Sequence, residues 1–536
     1  MVQTIQRIIS QNLSVIPASS KPTEKEDPFS KLVGHFGKWQ FIIFAAVFLV
    51  KLSSGWVQMA ILFLTPNLTF RCAEFQNSTA SDLFISTKDP IFNTSSLAEN
   101  SSAVSQNYSL FGNRIFEENT CYAECMRYEY DTGLFENTIV SEWDLVCDRR
   151  WLASFTQMVL QLGILIGSII FGFLSDRYGR KNTFLLSITT LIIFGFVVPF
   201  SPSYTVFTIS RFFLGMATAG TMVISFVIIM ETVGPRFREL LGCLFQIPFI
   251  IGHMTVPLFA YFFRSWDSYT LALAVPPLIY LGYFFVLNES PRWLVSVRRV
   301  EEATKIVTRA AEINNLPTSK IKETLTELSQ DIQSRSDEPK PNYSALFHHS
   351  LRLKTACCCG IWLITGVTFF GLNQYISQTS PDPFVSVTAA GAIQIPSILL
   401  SIWLIRTFGR RATTIAFSCF GGLCIITLGC LPPTFAIRLT LGTLGVSCAS
   451  VVATTIYIYT SELYPTVVRN MGMGAASTAM RIGSMVAPFI SNITTIPWLP
   501  TVIFGAAPIL AGALCLLLTE TKGKVLPDSI DDITDK

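Results

Sequence analysis

Apolar residues in this chain neither alternate with polar ones at a strand period nor keep to one stripe of a soluble helix. They come in long unbroken runs. A helix needs about 20 apolar residues to cross a bilayer. Twelve runs reach that scale, at 39–65, 151–174, 182–201, 205–230, 240–263, 268–287, 354–376, 384–405, 412–430, 434–459, 471–494 and 498–518. The pattern predicts an all-α membrane protein of twelve transmembrane helices, here called spans 1 to 12. The first run is too long and too far along the chain for a cleaved signal. A polar arm, 1–38, precedes it, and a polar tail, 519–536, follows the last run.

Orientation follows from the short loops, because cytoplasmic loops carry the excess of Lys and Arg. Arg177, Arg180 and Lys181 lie between spans 2 and 3, Arg236 and Arg238 between spans 4 and 5, and Arg406, Arg410 and Arg411 between spans 8 and 9. The opposite loops are nearly bare of cations. Both termini are therefore expected inside the cell, and the long insertion 66–149 outside. That insertion holds five N-x-[ST] sequons, at Asn67, Asn77, Asn93, Asn100 and Asn107, so a glycosylated loop is expected. It also holds Cys72, Cys121, Cys125 and Cys147, an even number suited to disulfides in an oxidising compartment. Three pairings are open.

The chain repeats itself. Leu174-Ser-Asp176-Arg177-Tyr-Gly179-Arg180-Lys181 after span 2 returns as Leu404-Ile-Arg-Thr-Phe-Gly409-Arg410-Arg411 after span 8. Glu231 stands seven residues before Arg238, and Glu462 seven before Arg469. Glu289 answers Glu520, and Arg211 with Gly215 answers Arg438 with Gly442. Two parallel six-helix halves, 39–287 and 354–518, joined by a cytoplasmic helical linker, 288–353, account for this periodicity. Such duplicated halves hold their substrate near the membrane midplane and rock around it. The charge sets Asp176 with Arg180, Glu231 with Arg238 and Glu462 with Arg469 read as ion-pair latches that hold one access state. Gly163, Gly167, Gly172, Gly472, Gly474 and Gly483 read as close-packing positions.

Composition narrows the function. Half the residues are hydrophobic and 14% are charged, against roughly 25% charged in soluble domains. A net charge of +3 implies no nucleic-acid partner. No phosphate-binding loop is present, so ATP is not expected to drive the protein. The four histidines, His35, His253, His348 and His349, lack a zinc spacing. No cofactor is expected; a coupling ion and the oligomeric state stay open. The expected partners are the lipid bilayer and a small organic ion.

Charges inside spans are costly, roughly 2.5–3.5 kcal/mol each on insertion scales, and are functional candidates by default. Lys51 lies about 18 Å into span 1 and Arg481 about 15 Å into span 11, at 1.5 Å per residue. No Asp or Glu lies in the interior of any span, so an anionic substrate group is the expected counter-ion. An amine on the same substrate would find aromatic faces and neutral acceptors, with Trp362, Asn373 and Gln374 of span 7 the leading candidates.

The run Gly172-Phe-Leu-Ser-Asp176-Arg-Tyr-Gly179-Arg-Lys181 resembles the loop signature of the major facilitator superfamily. Trp143-Asp-Leu-Val-Cys147-Asp148, Glu289-Ser-Pro-Arg-Trp-Leu294 and Glu462-Leu-Tyr-Pro-Thr466 resemble its organic cation, anion and zwitterion transporter family. The start Phe36-Gly-Lys-Trp-Gln40, with Lys51, is most similar to arthropod members, some of which carry β-alanine or carcinine. The resemblance implies a plasma-membrane carrier or facilitator that alternates access, and not an enzyme. It implies that Arg481 belongs with the anion and carnitine branches, since cation carriers place an acid there. Gln394 stands where many members have an acid, and Ile398 where the anion branch often has Lys. A zwitterion or carboxylate of the β-alanine or carnitine kind is the expected substrate. A carcinine-like organic cation is the alternative, and a receptor that binds without transporting is a third.

Overall fold

The computed structural model describes residues 27–75, 108–111, 114–117, 119–122, 125–336, 343–432, 434–465, 467–493, 496 and 498–523. Helices occupy all twelve predicted runs. Ten are long and apolar enough to cross a membrane among the described residues. The other two depart for visible reasons. Span 5 is shorter, its apolar part confined to Ile247–Phe262 behind a separate helix, Pro235–Leu244. Span 11, Arg469–Ser491, is diluted by polar and small residues. Spans 7 and 10 run longer than their apolar cores, at His349–Thr379 and Phe435–Leu463.

Two spans break where the chain loses backbone donors. Span 6 is α-helical over Trp266–Ala274, 3₁₀ over Pro276–Gly282, and α-helical again over Tyr283–Val286. Pro276 and Pro277 have no N–H to continue the ladder. Span 8 divides into Pro383–Ala392 and Gln394–Phe408, with Pro396 in the first turn of its second part.

Within each half, helices approach through glycine. A Cβ on Gly163 would overlap the Phe212 carbonyl oxygen, and one on Gly215 that of Leu160, joining spans 2 and 4. Gly55 and Gly252 join spans 1 and 5, and Gly366 and Gly483 join spans 7 and 11, in the same way. Of the six glycines expected to pack, Gly172 and Gly474 face open space, with no atom within 4 Å of a Cβ built there.

The insertion between spans 1 and 2 pairs Phe70–Phe75 with Cys125–Tyr130 and Tyr108–Phe111 with Arg114–Glu117, both antiparallel. Disulfides Cys72–Cys125 and Cys121–Cys147 resolve the pairing that spacing left open. Trp143 holds this layer down by packing against Phe207 of span 4 and Trp266 of span 6, with ring centroids 5.1 Å apart in each case. Asn67 is exposed, and its amide donates to the Gln378 carbonyl (3.3 Å). Asn77, Asn93, Asn100 and Asn107 lie outside the described residues.

On the opposite face, Pro291–Ser296, Val300–Ile313 and Ile321–Ser336 form the expected small helical bundle. The last part of the polar arm before span 1 is folded. Pro28–Val33 is a helix whose Phe29 and Val33 bury against Leu294, Val307 and Leu325 of the bundle. Asn314 ties the two together: its Nδ2 donates to the Val33 carbonyl (2.8 Å), and its Oδ1 accepts from the Trp39 amide (3.0 Å). Arg292 stacks on Phe29 (4.7 Å) and pairs with Asp27.

Candidate substrate site

Hydrogen bonds between the halves cluster on the face of the long insertion and at the midplane. Near that face, Ser377 of span 7 donates to the Leu62 carbonyl (3.0 Å), Gln378 to that of Thr65 (3.3 Å), and Ser154 of span 2 to that of Pro488 (2.9 Å). Phe63 stacks on Phe384 (5.3 Å) beside them. These contacts seal the halves together on that side, and the midplane groups lie behind the seal.

At the midplane stand the two cations that the apolar runs singled out. Lys51 is buried, with its ammonium 4.9 Å from the centroid of the Phe245 ring, a residue of the kink in span 5. Arg481 reaches across the halves, Nη1 donating to Gln58 Oε1 of span 1 at 3.5 Å. Neither cation has a carboxylate within ion-pair distance among the described residues. Two like charges in a low-dielectric centre repel by more than they would in water, and an entering anion relieves both.

Spans 7 and 8 carry further buried polar groups, some with hydrogen-bonding capacity unspent among the described residues. Trp362 is fully buried, its Nε1 donating to Thr460 Oγ1 (2.8 Å) and its ring meeting Tyr457 edge-on at 4.4 Å. Asn373 donates to the Phe369 carbonyl (2.7 Å), and among the described residues its buried Oδ1 has no partner and Gln374 Nε2 is likewise unpaired. Buried polar atoms are nearly always hydrogen-bonded, so these atoms have donors and acceptors to offer a ligand or water. Gln394 Nε2 crosses the halves to His253 Nδ1 (3.0 Å) and also donates to the Ala390 carbonyl (2.9 Å). An amide nitrogen only donates, so Nδ1 is the acceptor and the imidazole proton sits on Nε2. That atom has no partner among the described residues.

Residues 96–529 match the sugar (and other) transporter family. The organic cation transporter-like protein of Drosophila melanogaster is 32% identical over 528 residues, covering 93% of this chain and 91% of the relative. The organic cation/carnitine transporter 2 of Rattus norvegicus is 31% identical over 527 residues, covering 95% and 93%. The chain belongs to the organic cation, anion and zwitterion transporter family. It is a secondary transporter of small organic ions, not an enzyme. The xylose transporter XylE of E. coli, in an inward-open structure, superposes with a TM-score of 0.63 at 17% identity, covering 91% of this chain and 98% of its own. That likeness establishes the twelve-helix major facilitator fold.

The family's charged loops repeat in three dimensions, with partners other than those their spacing suggested. Gly179 and Gly409 both adopt positive φ, 97° and 91°, a conformation open to glycine at little cost. Each turn aims the next arginine across its own half. Arg180 Nη2 pairs with Glu231 (2.7 Å), and Arg410 Nη2 with Glu462 (2.7 Å). Arg180 also meets Asp176 (2.9 Å) as expected, while Arg177 lies beside the Tyr178 ring. Arg238 does not take Glu231; its Nη2 lies 3.8 Å from Asp27. Glu462 is likewise held by Arg410, with Thr521 donating to its other oxygen (2.6 Å), leaving Arg469 with other contacts. The Arg180–Glu231 and Arg410–Glu462 pairs each stay within one half, so in this state these charge sets brace each half.

Glu289 and Glu520 complete the symmetry. Glu289 accepts from the Arg180 and Lys181 amides, and Glu520 from those of Arg410 and Arg411, at the open N-termini of spans 3 and 9. Burial alone would raise the Glu520 carboxyl, but the amides of Lys522, Arg410, Arg411 and Thr521 outweigh it and hold it below the ordinary carboxylate value.

Three residues at or near the centre were missed from the sequence. Arg211 is buried in span 4, where the rule that found Lys51 and Arg481 applies equally; it was read only as a mark of the repeat. Gln58 and His253 carry no signal of that kind, since neutral polar residues are common in spans.

Proposed function

We propose that this protein is a plasma-membrane carrier of small zwitterions or carboxylates, of the β-alanine or carnitine kind, with both termini in the cytoplasm. The observation that supports this most is Arg481 at the junction of the halves, with no carboxylate partner among the described residues. Its guanidinium offers two parallel N–H bonds to a carboxylate, and Lys51 adds a second positive charge nearby. A substrate ammonium would be held by the Trp362 and Tyr457 rings, where cation–π contact contributes roughly 0.5–2 kcal/mol, and Asn373, eleven residues or about 16 Å further along span 7, would meet a different part of the solute. Gln374 and Gln394 would orient the bound solute. The carnitine in the name of the rat relative accords with a substrate carrying both charges.

A second reading, a carrier of organic cations such as carcinine, draws support from the names of the Drosophila relatives. In it Arg481 holds Gln58 and does not meet the substrate. Uptake into proteoliposomes separates the two. The proposal expects accumulation of β-alanine or carnitine above that of tetraethylammonium and carcinine. Uptake of those cations with none of either carboxylate would overturn it.

A further inference from the structure

The buried charge that the substrate site leaves unused is Arg211. Its side chain is 2% exposed, in span 4 of the first half. Its Nη2 donates to Gln157 Oε1 of span 2 (2.7 Å), and Nε has no partner among the described residues. The Phe207 ring lies 5.6 Å from the guanidinium carbon. Among the described residues no Asp or Glu lies within ion-pair distance of it. A guanidinium keeps its proton, so this charge cannot be removed by titration. A buried charge without a partner costs several kcal/mol, and one Gln oxygen is a partial answer.

Beside Arg211 lies a cavity of about 50 Å³, bounded by spans 1, 3, 4 and 6 and lined by Ser53, Val57, Leu191, Arg211, Thr270 and Pro277. A water requires roughly 10–15 Å³ of such space, so there is room for an ion with water. The Ser53 and Thr270 hydroxyls both donate to backbone carbonyls, of Val50 and Trp266. The space exists where Pro276 and Pro277 break span 6, and it is otherwise apolar apart from the guanidinium. The repeat supplies a control. Arg438, the counterpart of Arg211 in the second half, donates from Nη1 to the Thr379 carbonyl at the end of span 7.

We propose that this cavity binds a small monovalent anion on the Arg211 guanidinium, at a site separate from Lys51 and Arg481. The anion neutralises the buried charge and fills the space left by the broken helix. Its occupancy is linked to the substrate site by a chain of polar contacts. Gln157, which accepts from Arg211, donates through Nε2 to the Gln58 carbonyl (3.4 Å), and Gln58 Oε1 faces Arg481 (3.5 Å). A halide and a short carboxylate share the required chemistry.

The test is thermal unfolding of the purified full-length protein in chloride, acetate or gluconate at one ionic strength, with bromide anomalous diffraction to locate the ion. Chloride should raise the midpoint saturably over gluconate, by about 2 °C or more at saturation. Acetate matching chloride would extend the site to short carboxylates, and acetate matching gluconate would restrict it to halides. The shift should vanish in Arg211→Gln and persist in Arg481→Gln. If Arg211→Gln fails to fold, Ala274, which also lines this cavity, serves instead: Ala274→Leu fills the space with the arginine in place and should also abolish the shift. A bromide peak is expected beside Arg211. Equal midpoints in all three salts, or bromide only between Lys51 and Arg481, would overturn the proposal.

Discussion

Single residues carry the electrostatics here, and their worth depends on what surrounds them. Glu520 is a surface-side carboxylate that four backbone amides hold in its charged form. A carboxyl whose value is depressed on folding contributes stability that is present above its unfolded value, near 4.3, and lost as pH falls through its lower folded value. Glu520→Gln should therefore unfold at a lower temperature than wild type at pH 7. The gap should close in scans taken progressively below about pH 4. An undiminished gap at low pH would mean that shape, not charge, caps span 9. Lys51 and Arg481 were legible in the sequence because a cation stands out in an apolar run. Arg211 was equally legible and was passed over. Gln58 and His253 became visible only through their partners across the halves, which no single-chain pattern encodes.

At the scale of the element, apolar runs sufficed to find the spans, because burying a backbone in lipid forces it into helices. The breaks were not found that way. Pro276–Pro277 and Pro396 sit inside runs that hydropathy counts as continuous, and breaking a helix depends on lost amide donors. Carboxylate partners were also misjudged, since spacing along the chain favoured Arg238 and Arg469 while the turns at Gly179 and Gly409 deliver Arg180 and Arg410 instead. Glycine divides by element as well. Gly483→Ala sets a Cβ against the Leu363 carbonyl, with backbone on both sides, and should sharply reduce the yield of monodisperse protein. Gly474→Ala has open space and, by helix propensity, should be neutral or better by up to about 1 kcal/mol. Size-exclusion chromatography of the two variants checks this; equal yields would contradict the packing of spans 7 and 11.

For the whole molecule, the repeat was readable because duplicated loops keep their charged residues, and the folded halves share the Arg180–Glu231 and Arg410–Glu462 pairs and the Glu289 and Glu520 caps. Membrane orientation rests on a different signal, the bias of Lys and Arg. It predicts that glycosidase treatment of protein from intact cells shifts its mobility. Replacing Asn67, Asn77, Asn93, Asn100 and Asn107 together should remove most of that shift. A shift that survives all five replacements would count against the assigned orientation. At the centre between the halves, the proposed role of Arg481 is to hold a carboxylate by shape as well as charge. The most direct measurement is the initial rate of β-alanine and carnitine uptake by Arg481→Lys in proteoliposomes, at matched protein content. Lys keeps the charge but cannot form two parallel bonds. If the lost contact is worth about 1.5–3 kcal/mol, the rate should fall roughly ten- to a hundredfold. Uptake at the wild-type rate would contradict the assignment.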